Sequence, residues 1–482
     1  MADQTTSDPA RDRMLHGPLA WTVLRFGAPL AAAMVLQVVF NLVDQYIIAR
    51  LPPVLSDASL DALGICDMVA ALGTILSYGV SSATATLVSQ ARGRDNQREV
   101  AEIAWGSVGL VTLMGLAFGA VAILGADVIV HSLLGAKGLV RELAGAYLRV
   151  IVGGIVTVFV MFQVTAVQRS MGHSKLPLAV FASGNILNLF LAVLLVYGPG
   201  PAPAIFSWGP PIAAALGLPR WGVVGAAWAT VIARAVVMIV PMLLLRRELK
   251  VAAHKAPFLP SRAVLGRLVA LAWPTSTQFT VRIGAVLLVI ALVHHFFTTP
   301  GNSDAGTAYA LCLRMETMAL FVSMGWGGAA QTLVGTNIGA GLYDRAQRAA
   351  WITGAYNVLT MLGLAALFIG AGEHFLRFFT TQEAIVQRAK DYLLFVGPSY
   401  MAFGFAIVLG NALVGAGATR LALRIDLVLV LAVQAPLMLA VTALFHAPPS
   451  GLWTSVVAVN IVSALVYTVV ARKKSSWRTF NV

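Results

Sequence analysis

Residues 26–51 read FGAPLAAAMVLQVVFNLVDQYIIARL, an apolar run long enough to cross a membrane as one helix. A helix needs about 20 apolar residues to span a hydrocarbon core of about 30 Å. The rest of the chain continues this pattern, since 59% of its 482 residues are hydrophobic and only 11% are charged. Soluble domains carry about 25% charged residues, so the sequence predicts an integral membrane protein.

Eleven further apolar runs follow the first, and together they predict an all-α polytopic membrane protein with twelve transmembrane helices. Their continuity disfavours an outer-membrane barrel, because barrel strands are short and alternate apolar with polar residues. The predicted spans are residues 21–49, 62–90, 100–124, 142–165, 177–197, 221–245, 268–297, 308–336, 350–371, 391–416, 425–445 and 452–471.

The net charge of +13 is explained by the loops between these spans, and we expect no nucleic-acid partner. Twelve spans place both termini on one side, which carries 21 Lys and Arg residues against seven on the other side. Cytoplasmic loops collect Lys and Arg, so we predict cytoplasmic termini and a multi-pass protein of the plasma (inner) membrane. The polar stretch before Leu19 has no apolar core, so we expect no cleavable signal peptide.

The two halves of the chain are related by an internal repeat. A shift of 246 positions places GVSSATATLVSQARG (79–93) on GWGGAAQTLVGTNIG (325–339) and Cys66 on Cys312, and a shift of 245 places Pro29 on Pro274. Six spans separate equivalent elements, so both halves have the same orientation and the repeat axis follows the membrane normal. We therefore predict two six-helix lobes around a central cleft, the geometry that alternating access needs.

The repeat also predicts domain boundaries and turns. We expect a cytoplasmic N-terminal tail at 1–20, an N-lobe at 21–245, a cytoplasmic linker at 246–267, a C-lobe at 268–471 and a cytoplasmic C-terminal tail at 472–482. The symmetric glycines of ARGRD (91–95) and NIGAG (337–341) are expected to form tight turns between the second and third spans of each lobe. Neither string has the spacing of a phosphate-binding loop, so we expect no ATP-hydrolysing site.

Several strings, in a defined order, are typical of one transporter family. They are the segment 26–51, LVSQARG (87–93), GNILN (184–188), GVVGAAWAT (222–230) and LVGTNIGAG (333–341). On these strings the chain resembles the multidrug and toxic compound extrusion (MATE) transporters over nearly its whole length. The resemblance implies a cation-coupled exporter of drug-like molecules with two six-helix lobes. We expect no enzyme activity, since the spans lack HExxH and paired DxxxD motifs, and no cofactor beyond a coupling H⁺ or Na⁺.

Asp44 is the first candidate for the coupling site. An ionised Asp inside a span costs about 2.5–3.5 kcal/mol on insertion scales, so it should face the interior or a wet cavity. Binding a cation neutralises the carboxylate and changes which packing of the first span is preferred. Asn41 and Gln37 lie at helical spacings on the same face, and the resemblance places Pro29, Asn41 and Asp44 at the family's proline and coupling carboxylate. The alternative is that Asp44 only caps or pairs near the outer end of a long helix.

Asn185 and Asn188 of the fifth span complete the predicted coupling site. Their amides would lie near Asp44 if both spans belong to one lobe, although they could equally pack helices through interhelical hydrogen bonds. The DinF-like branch of the family commonly carries an aspartate four residues after the second Asn, where this chain has Ala192. A sodium ion favours several hard oxygen ligands, so the loss of this carboxylate favours protons.

The seventh span places the chain closer to the DinF-like branch than to the NorM-like branch. NorM-like relatives carry a glutamate about two turns after the span-seven proline, where this chain has Arg282. Arg282 and Arg314 are intramembrane cations that need partners, and Glu316 and Asp44 are the nearest acids by depth. Arg282, Arg314 and Glu316 are therefore candidates for an intramembrane charge relay, with static pairing or a snorkelling arginine as alternatives.

The substrates are expected to be small organic, cationic molecules handled by a monomer in the lipid bilayer. Methionines, aromatics and one amide suit an adaptable cleft for such compounds, although any one such residue is more often ordinary helix packing. The candidates are Met34, Phe40, Tyr78, Met161, Phe162, Gln278 and Phe279. The alternative function is a flippase for lipid-linked oligosaccharide or polysaccharide precursors, which would need a strongly cationic cavity. The intramembrane arginines Arg149, Arg234, Arg282 and Arg314 keep that alternative open.

Overall fold

The structure is a computed structural model that describes residues 9–249, 257–299, 304–445 and 448–478. Within these ranges the chain is almost entirely helical, and we number the spanning helices α1 to α12. Their bounds are α1 Leu19–Ala49, α2 Pro53–Gly93, α3 Gln97–Asp127, α4 Gly138–Ile151 with Val156–Ser170, α5 Lys175–Tyr197, α6 Val223–Glu248, α7 Arg262–Phe297, α8 Asp304–Gly339, α9 Tyr343–Phe379, α10 Glu383–Gly415, α11 Thr419–Leu444 and α12 Pro449–Arg472.

The predicted polytopic fold is confirmed. Ten of the described helices are long and apolar enough to cross a membrane, and the bent pair that forms α4 makes an eleventh span. The twelfth predicted span is α8, a 36-residue helix whose Arg314 and Glu316 lower its hydropathy. The observed helices extend past most of the predicted bounds, because helical structure continues through residues that flank the apolar runs.

Two spans depart from regular α-helix. The helix α4 is bent by 41° between its two halves. The break contains Gly153 and Gly154, and a Cβ at Gly119 of α3 would lie 2.6 Å from the Gly153 carbonyl oxygen. In α11, π-helical turns at Val428–Gln434 and Ala440–Leu444 flank a short α-helical piece that contains Pro436. Proline removes a backbone N–H donor, and π-turns often mark functional positions.

Contacts divide the chain into two compact units. The N-terminal unit contains Leu36–Thr84 and Gln97–Ala272. The C-terminal unit contains the residues through Val35, the segment Ala85–Asn96 and the chain from Trp273 onward. In the N-terminal unit α6 packs against α5 and α4, and in the C-terminal unit α10 packs against α8, α9 and α12. The lobe boundaries drawn from the sequence stay a prediction.

Equivalent contacts within each unit reproduce the internal repeat. In the N-terminal unit the thiol of Cys66 donates to the Ala144 carbonyl at 3.4 Å. In the C-terminal unit the thiol of Cys312 donates to the Ala389 carbonyl at 3.6 Å. The same shift of 245 that relates the two alanines also relates two buried tyrosines, Tyr147 and Tyr392. The repeat therefore sets the packing of the second span against the fourth in both units.

The paired glycine strings form turns at different residues from those expected. Gly93 and Gly339 are the last residues of α2 and α8 and keep helical conformations, and a Cβ on Gly93 would lie 2.9 Å from the Gly339 Cα. The left-handed turn residues are Asp95, with φ 63°, and Gly341, with φ 75°. Because neither Gly93 nor Gly339 carries a side chain, the ends of α2 and α8 can approach each other closely.

We expect Gly339→Ala to destabilise the protein by about 1–3 kcal/mol, because the added methyl group meets the Gln90 backbone and forces the two helix ends apart. The measurement is the apparent Tm of the purified protein in detergent. Gly370→Ala is the matched control, since a Cβ added to this α9 glycine would meet no heavy atom within 4 Å. Equal Tm values for both variants would contradict the packing role.

Candidate functional site

Asp44 lies on α1 and accepts hydrogen bonds from two helices of the N-terminal unit. The Asn188 side-chain amide on α5 donates to Oδ1 at 2.7 Å, and the Thr230 hydroxyl on α6 lies 3.4 Å from Oδ2. Helices α5 and α6 approach closely because Gly225 has no side chain, and a Cβ there would lie 2.5 Å from the Leu195 carbonyl oxygen. The half-buried carboxylate is therefore held by neutral groups inside a span.

Thr230 gives the site two hydrogen-bonding states. Its hydroxyl lies 3.2 Å from the side-chain oxygen of Asn188 and 2.9 Å from the backbone carbonyl oxygen of Ala226, besides its contact with Asp44. A hydroxyl has one proton to donate but can also accept. When Asp44 is ionised, the Asn188 amide satisfies it, and when Asp44 is protonated, its own O–H can donate to Thr230. The two protonation states of Asp44 therefore have different sets of hydrogen-bond partners.

The other predicted coupling residues take different places. Asn185 donates from its side chain to the Leu36 carbonyl at 2.7 Å, so it ties α5 to α1 about two turns before Asp44. Gln37 is buried and lines a cavity of about 20 Å³ together with Asn185. Asn41 is exposed, and its side chain makes no hydrogen bond to the residues that the structure describes. The structure thus brings Asp44 and Asn188 into direct contact and places Asn185 and Gln37 beside them.

Three residues that the sequence did not single out as coupling residues, Thr230, Asp67 and Arg234, belong to the Asp44 surroundings. Arg234 on α6 lines the same small cavity, with its guanidinium carbon 5.7 Å from the Phe40 ring centroid. It interacts electrostatically with Asp44 and with Asp67 of α2. The signals were weak, since Thr230 is an ordinary residue inside an apolar span and Asp67 lies only five residues past the predicted start of its span.

The C-terminal unit holds an ion pair between a buried carboxylate and a half-buried arginine. The Arg282 Nε on α7 lies 2.6 Å from Oδ2 of Asp426 on α11. The Tyr467 hydroxyl on α12 donates to the other carboxylate oxygen at 2.6 Å, and the Gln278 amide lies 3.4 Å from that hydroxyl. The sequence pointed to Glu316 or Asp44 as the partner of Arg282, whereas the observed partner is Asp426, which lies near the start of α11.

Glu316 and Arg314 have partners of their own. The Tyr392 hydroxyl donates to the Glu316 carboxylate. Arg314 lies over the Phe379 ring, with its guanidinium carbon 5.0 Å from the ring centroid. Each of the three residues expected to form a charge relay thus contacts a different group in the described part of the chain.

The residues predicted to contact substrate are distributed over both units. Phe40 and Met161 line the small cavity beside Asp44, together with Gln37. That cavity has room for little more than a water molecule. A larger cavity of about 370 Å³ lies within the C-terminal unit and is almost entirely apolar. Its lining residues are Ala28, Ala31, Ala32, Val35, Val322, Trp326, Thr360, Gly363, Leu364 and Leu367.

Each intramembrane arginine lies beside a different group of its own unit. Arg149 pairs with Asp127 at 2.8 Å, and Arg282 pairs with Asp426. Arg314 stacks on an aromatic ring, and Arg234 lies near two carboxylates. A flippase for pyrophosphate-linked precursors is therefore not favoured. Among the described residues no group of three or more His, Cys, Asp or Glu side chains could hold a metal ion.

The comparison with protein families identifies the chain. The MatE family model matches residues 29–194 and 282–439, which include Asp44, Asn188, Arg282 and Asp426. The chain belongs to the MatE family. It is thus a MATE transporter, a multi-pass membrane protein of the multidrug efflux class and not an enzyme.

Relatives and solved structures agree with this assignment. The probable multidrug resistance protein YpnP of Bacillus subtilis is 24% identical over 434 residues, covering 90% of this chain and 89% of YpnP. The probable multidrug resistance protein NorM of Thermotoga maritima is 22% identical over 441 residues, covering 90% and 88%. A crystal structure of MATE in complex with MaD3S shares the fold, with a TM-score of 0.81, 20% identity and coverage of 97% and 99%. The MATE family and fold predicted from the sequence are confirmed, and the DinF-like branch stays a prediction.

Proposed function

We propose that this MATE transporter exchanges extracellular H⁺ for cytoplasmic organic cations by alternating access, with Asp44 as the coupling group. The observation that carries the proposal is the pair of neutral partners around Asp44. Asn188 and Thr230 contact the carboxylate, and no Lys or Arg of the described chain lies within 4 Å of it. A carboxylate without an ion-pair partner can bind a mobile cation, which neutralises its charge.

The coupling step follows from the hydrogen bonds of Asp44. A proton that enters from outside neutralises the carboxylate. The hydrogen bond accepted from Asn188 then gives way to one donated to Thr230, which alters the packing of α1 against α5 and α6. A ligand shifts a conformational equilibrium only by binding two states differently. The protonated state is the one with lower affinity for the substrate in the outward-facing cleft, so the organic cation leaves.

Protons are favoured over sodium by the number of available oxygens. Among the described residues, the oxygens grouped at the site belong to the Asp44 carboxylate, the Thr230 hydroxyl and the Asn188 side-chain amide. Sodium, like other hard cations, favours a fuller set of oxygen ligands. Ala192, in place of a further carboxylate, adds none.

The remaining sequence-derived assignments belong to the same proposal. The 21 to 7 bias of Lys and Arg supports cytoplasmic termini in the plasma (inner) membrane. We propose that the transporter works as a monomer. Gln37, Asn41 and Asn185 are proposed to support the coupling site, and Met34, Phe40, Tyr78, Met161, Phe162, Gln278 and Phe279 to line the substrate cleft. The role of Arg282, Arg314 and Glu316 as a charge relay likewise stays a proposal.

Reconstituted proteoliposomes test the proposed coupling. We expect an organic cation such as ethidium to trigger proton release from vesicles loaded at low pH, and an imposed proton gradient to drive its uptake. Sodium gradients of equal size should have no effect at constant pH. A response to sodium alone would overturn the proton assignment, and no response to either ion would overturn antiport.

A further inference from the structure

The last turns of α2 belong to a different unit from the rest of that helix. Its segment Ala85–Asn96 packs within the C-terminal unit, whereas the preceding part of the helix belongs to the N-terminal unit. The Thr86 hydroxyl donates to the Val414 carbonyl at 3.1 Å, and the Gln90 side-chain amide donates to the Gly415 carbonyl at 3.1 Å. Two side chains of α2 therefore hold its end against the end of α10.

The same segment of α2 packs closely against α8. Ser89 is 0% exposed, and a Cβ added to Gly335 of α8 would lie 2.8 Å from the Ser89 Cβ. The Gln331 side-chain amide on α8 donates to the Thr86 hydroxyl oxygen at 3.0 Å. A reagent dissolved in water can therefore reach Ser89 only after the end of α2 has moved away from α8.

A short helix at Pro9–His16, here called the N-terminal helix, contacts the end of α2. The Arg11 Nε donates to the Arg92 carbonyl at 3.0 Å, and a terminal nitrogen of Arg11 donates to the Gly93 carbonyl at 3.1 Å. The guanidinium also lies 3.6 Å from the Asp95 carboxylate. The last carbonyls of a helix carry a partial negative charge, so a cation is stabilised there. Arg11 therefore binds the end of α2 through charge-assisted contacts.

The N-terminal helix is also attached to α9, which is part of the C-terminal unit. Its residues Met14 and Leu15 are buried. A terminal nitrogen of Arg345 on α9 donates to the Gly17 carbonyl at 2.5 Å and lies 3.4 Å from the Met14 carbonyl oxygen. The N-terminal helix is thus bound to α9 through Arg345 and to α2 through Arg11.

These contacts bear on how one side of the transporter opens. Alternating access requires this side to open at one stage of the cycle, and α2 can follow the N-terminal unit only if its last turns leave α8 and α10. Contacts that exist in one state alone shift the equilibrium toward that state. The bonds from Arg11 to the Arg92 and Gly93 carbonyls need the end of α2 in its present place.

We propose that the N-terminal helix is a latch, in which Arg11 holds the end of α2 on the C-terminal unit, so that the release of Arg11 is a step of the transport cycle. The inference rests on the proposed alternating access, but it requires neither Asp44 nor a particular coupling ion. Arg11 contacts neither cation nor substrate in this role and acts by setting the position of α2.

The experiment measures how fast the thiol of Ser89→Cys reacts with a charged, water-soluble maleimide in purified transporter in lipid nanodiscs. When opening and closing are faster than the reaction, the rate follows the fraction of molecules in which the end of α2 is released. We expect Arg11→Ala to raise this rate at least about fivefold, because it removes bonds that a charged group makes only in the latched state. Arg345→Ala loosens the same helix from α9 and should raise the rate as well.

Arg13→Ala is the matched control, because this exposed arginine of the same helix makes no side-chain hydrogen bond or ion pair to the described residues. It should leave the rate within about twofold of the Ser89→Cys background. The buried native thiols of Cys66 and Cys312 monitor the fold, since unfolding exposes them and release of the latch does not.

Equal rates in Arg11→Ala and Arg13→Ala would overturn the latch, and so would a rise that appears only together with labelling of Cys66 and Cys312. If Arg11→Ala does not fold, an unchanged rate in Arg345→Ala overturns the latch alone. Loss of exchange in Asp44→Asn together with equal rates in Arg11→Ala and Arg13→Ala would leave the proposed function standing and remove only the latch. Faster labelling in Arg11→Ala would support the latch even if sodium proved to be the coupling ion.

Discussion

Replacing Asp44 with Asn is expected to reduce drug efflux to the level of a host that lacks the transporter. Asn is close to Asp in size and keeps hydrogen-bonding capacity toward Asn188 and Thr230, but it cannot ionise. A proton gradient performs work only if the proton binds the two states of the transporter with different affinity. An uncharged residue removes that difference, so export loses its source of energy. The measurement is the drug susceptibility of an efflux-deficient bacterial host.

Asp61→Asn is the matched control for this prediction. Asp61 lies on α2 with an exposed side chain, so the same chemical change there leaves the Asp44 contacts intact. Immunoblots of membranes should show equal amounts of both variants and of wild type. If Asp44→Asn protects the host as well as wild type does, Asp44 is not the coupling group and the proposed mechanism fails.

Replacing Asp426 with Asn is expected to produce the largest loss of stability. The change leaves the Arg282 guanidinium without the carboxylate that lies 2.6 Å from its Nε, although the Tyr467 hydroxyl can still donate to the Asn oxygen. Breaking a buried ion pair at one partner costs about 3–5 kcal/mol, and we expect a loss toward the lower end of this range because the Arg282 side chain is 29% exposed. We expect the apparent Tm in detergent to fall by at least about 5 °C.

Two controls identify the cause of that loss. The double variant Arg282→Met with Asp426→Leu removes both charges and should recover most of the Tm, since a buried pair can often be replaced by apolar residues at little cost. Asp127→Asn breaks the pair between Asp127, whose side chain is 69% exposed, and Arg149, whose side chain is 44% exposed. This change should have little effect on the Tm, because exposed ion pairs contribute little stability. A double variant that is no more stable than Asp426→Asn would contradict a charge-based explanation.

The spans were readable from the sequence because hydropathy acts over whole helices. Even α8, which carries Arg314 and Glu316, was located, because the apolar run at 308–336 remains recognisable around these two charges. The coupling site was partly readable for the same reason: an acid at position 44 and amides at 185 and 188 are conspicuous in apolar runs. Thr230 was not, because a threonine in a span usually donates to its own helix, as Thr230 also does toward Ala226.

The pairing of charges was not readable, because it depends on the depth and rotation of each helix, which hydropathy locates only to within several residues. Asp426 lies two residues after Arg424 at the predicted edge of the eleventh span, so it resembles a loop residue, whereas it is 5% exposed and faces α7. Arg282 and Asp426 are separated by 144 positions along the chain. Predicting their contact requires the helix packing itself.

The two symmetric thiols make this transporter well suited to spectroscopic labelling. Cys66 and Cys312 are the chain's two cysteines, each is 0% exposed, and each already donates to a backbone carbonyl. Buried thiols of this kind are chemically inert toward reagents dissolved in water. Cysteines introduced at exposed helix ends should therefore react selectively in the otherwise native chain. Distances between paired spin labels could then follow the transport cycle without first removing the native sulfur atoms.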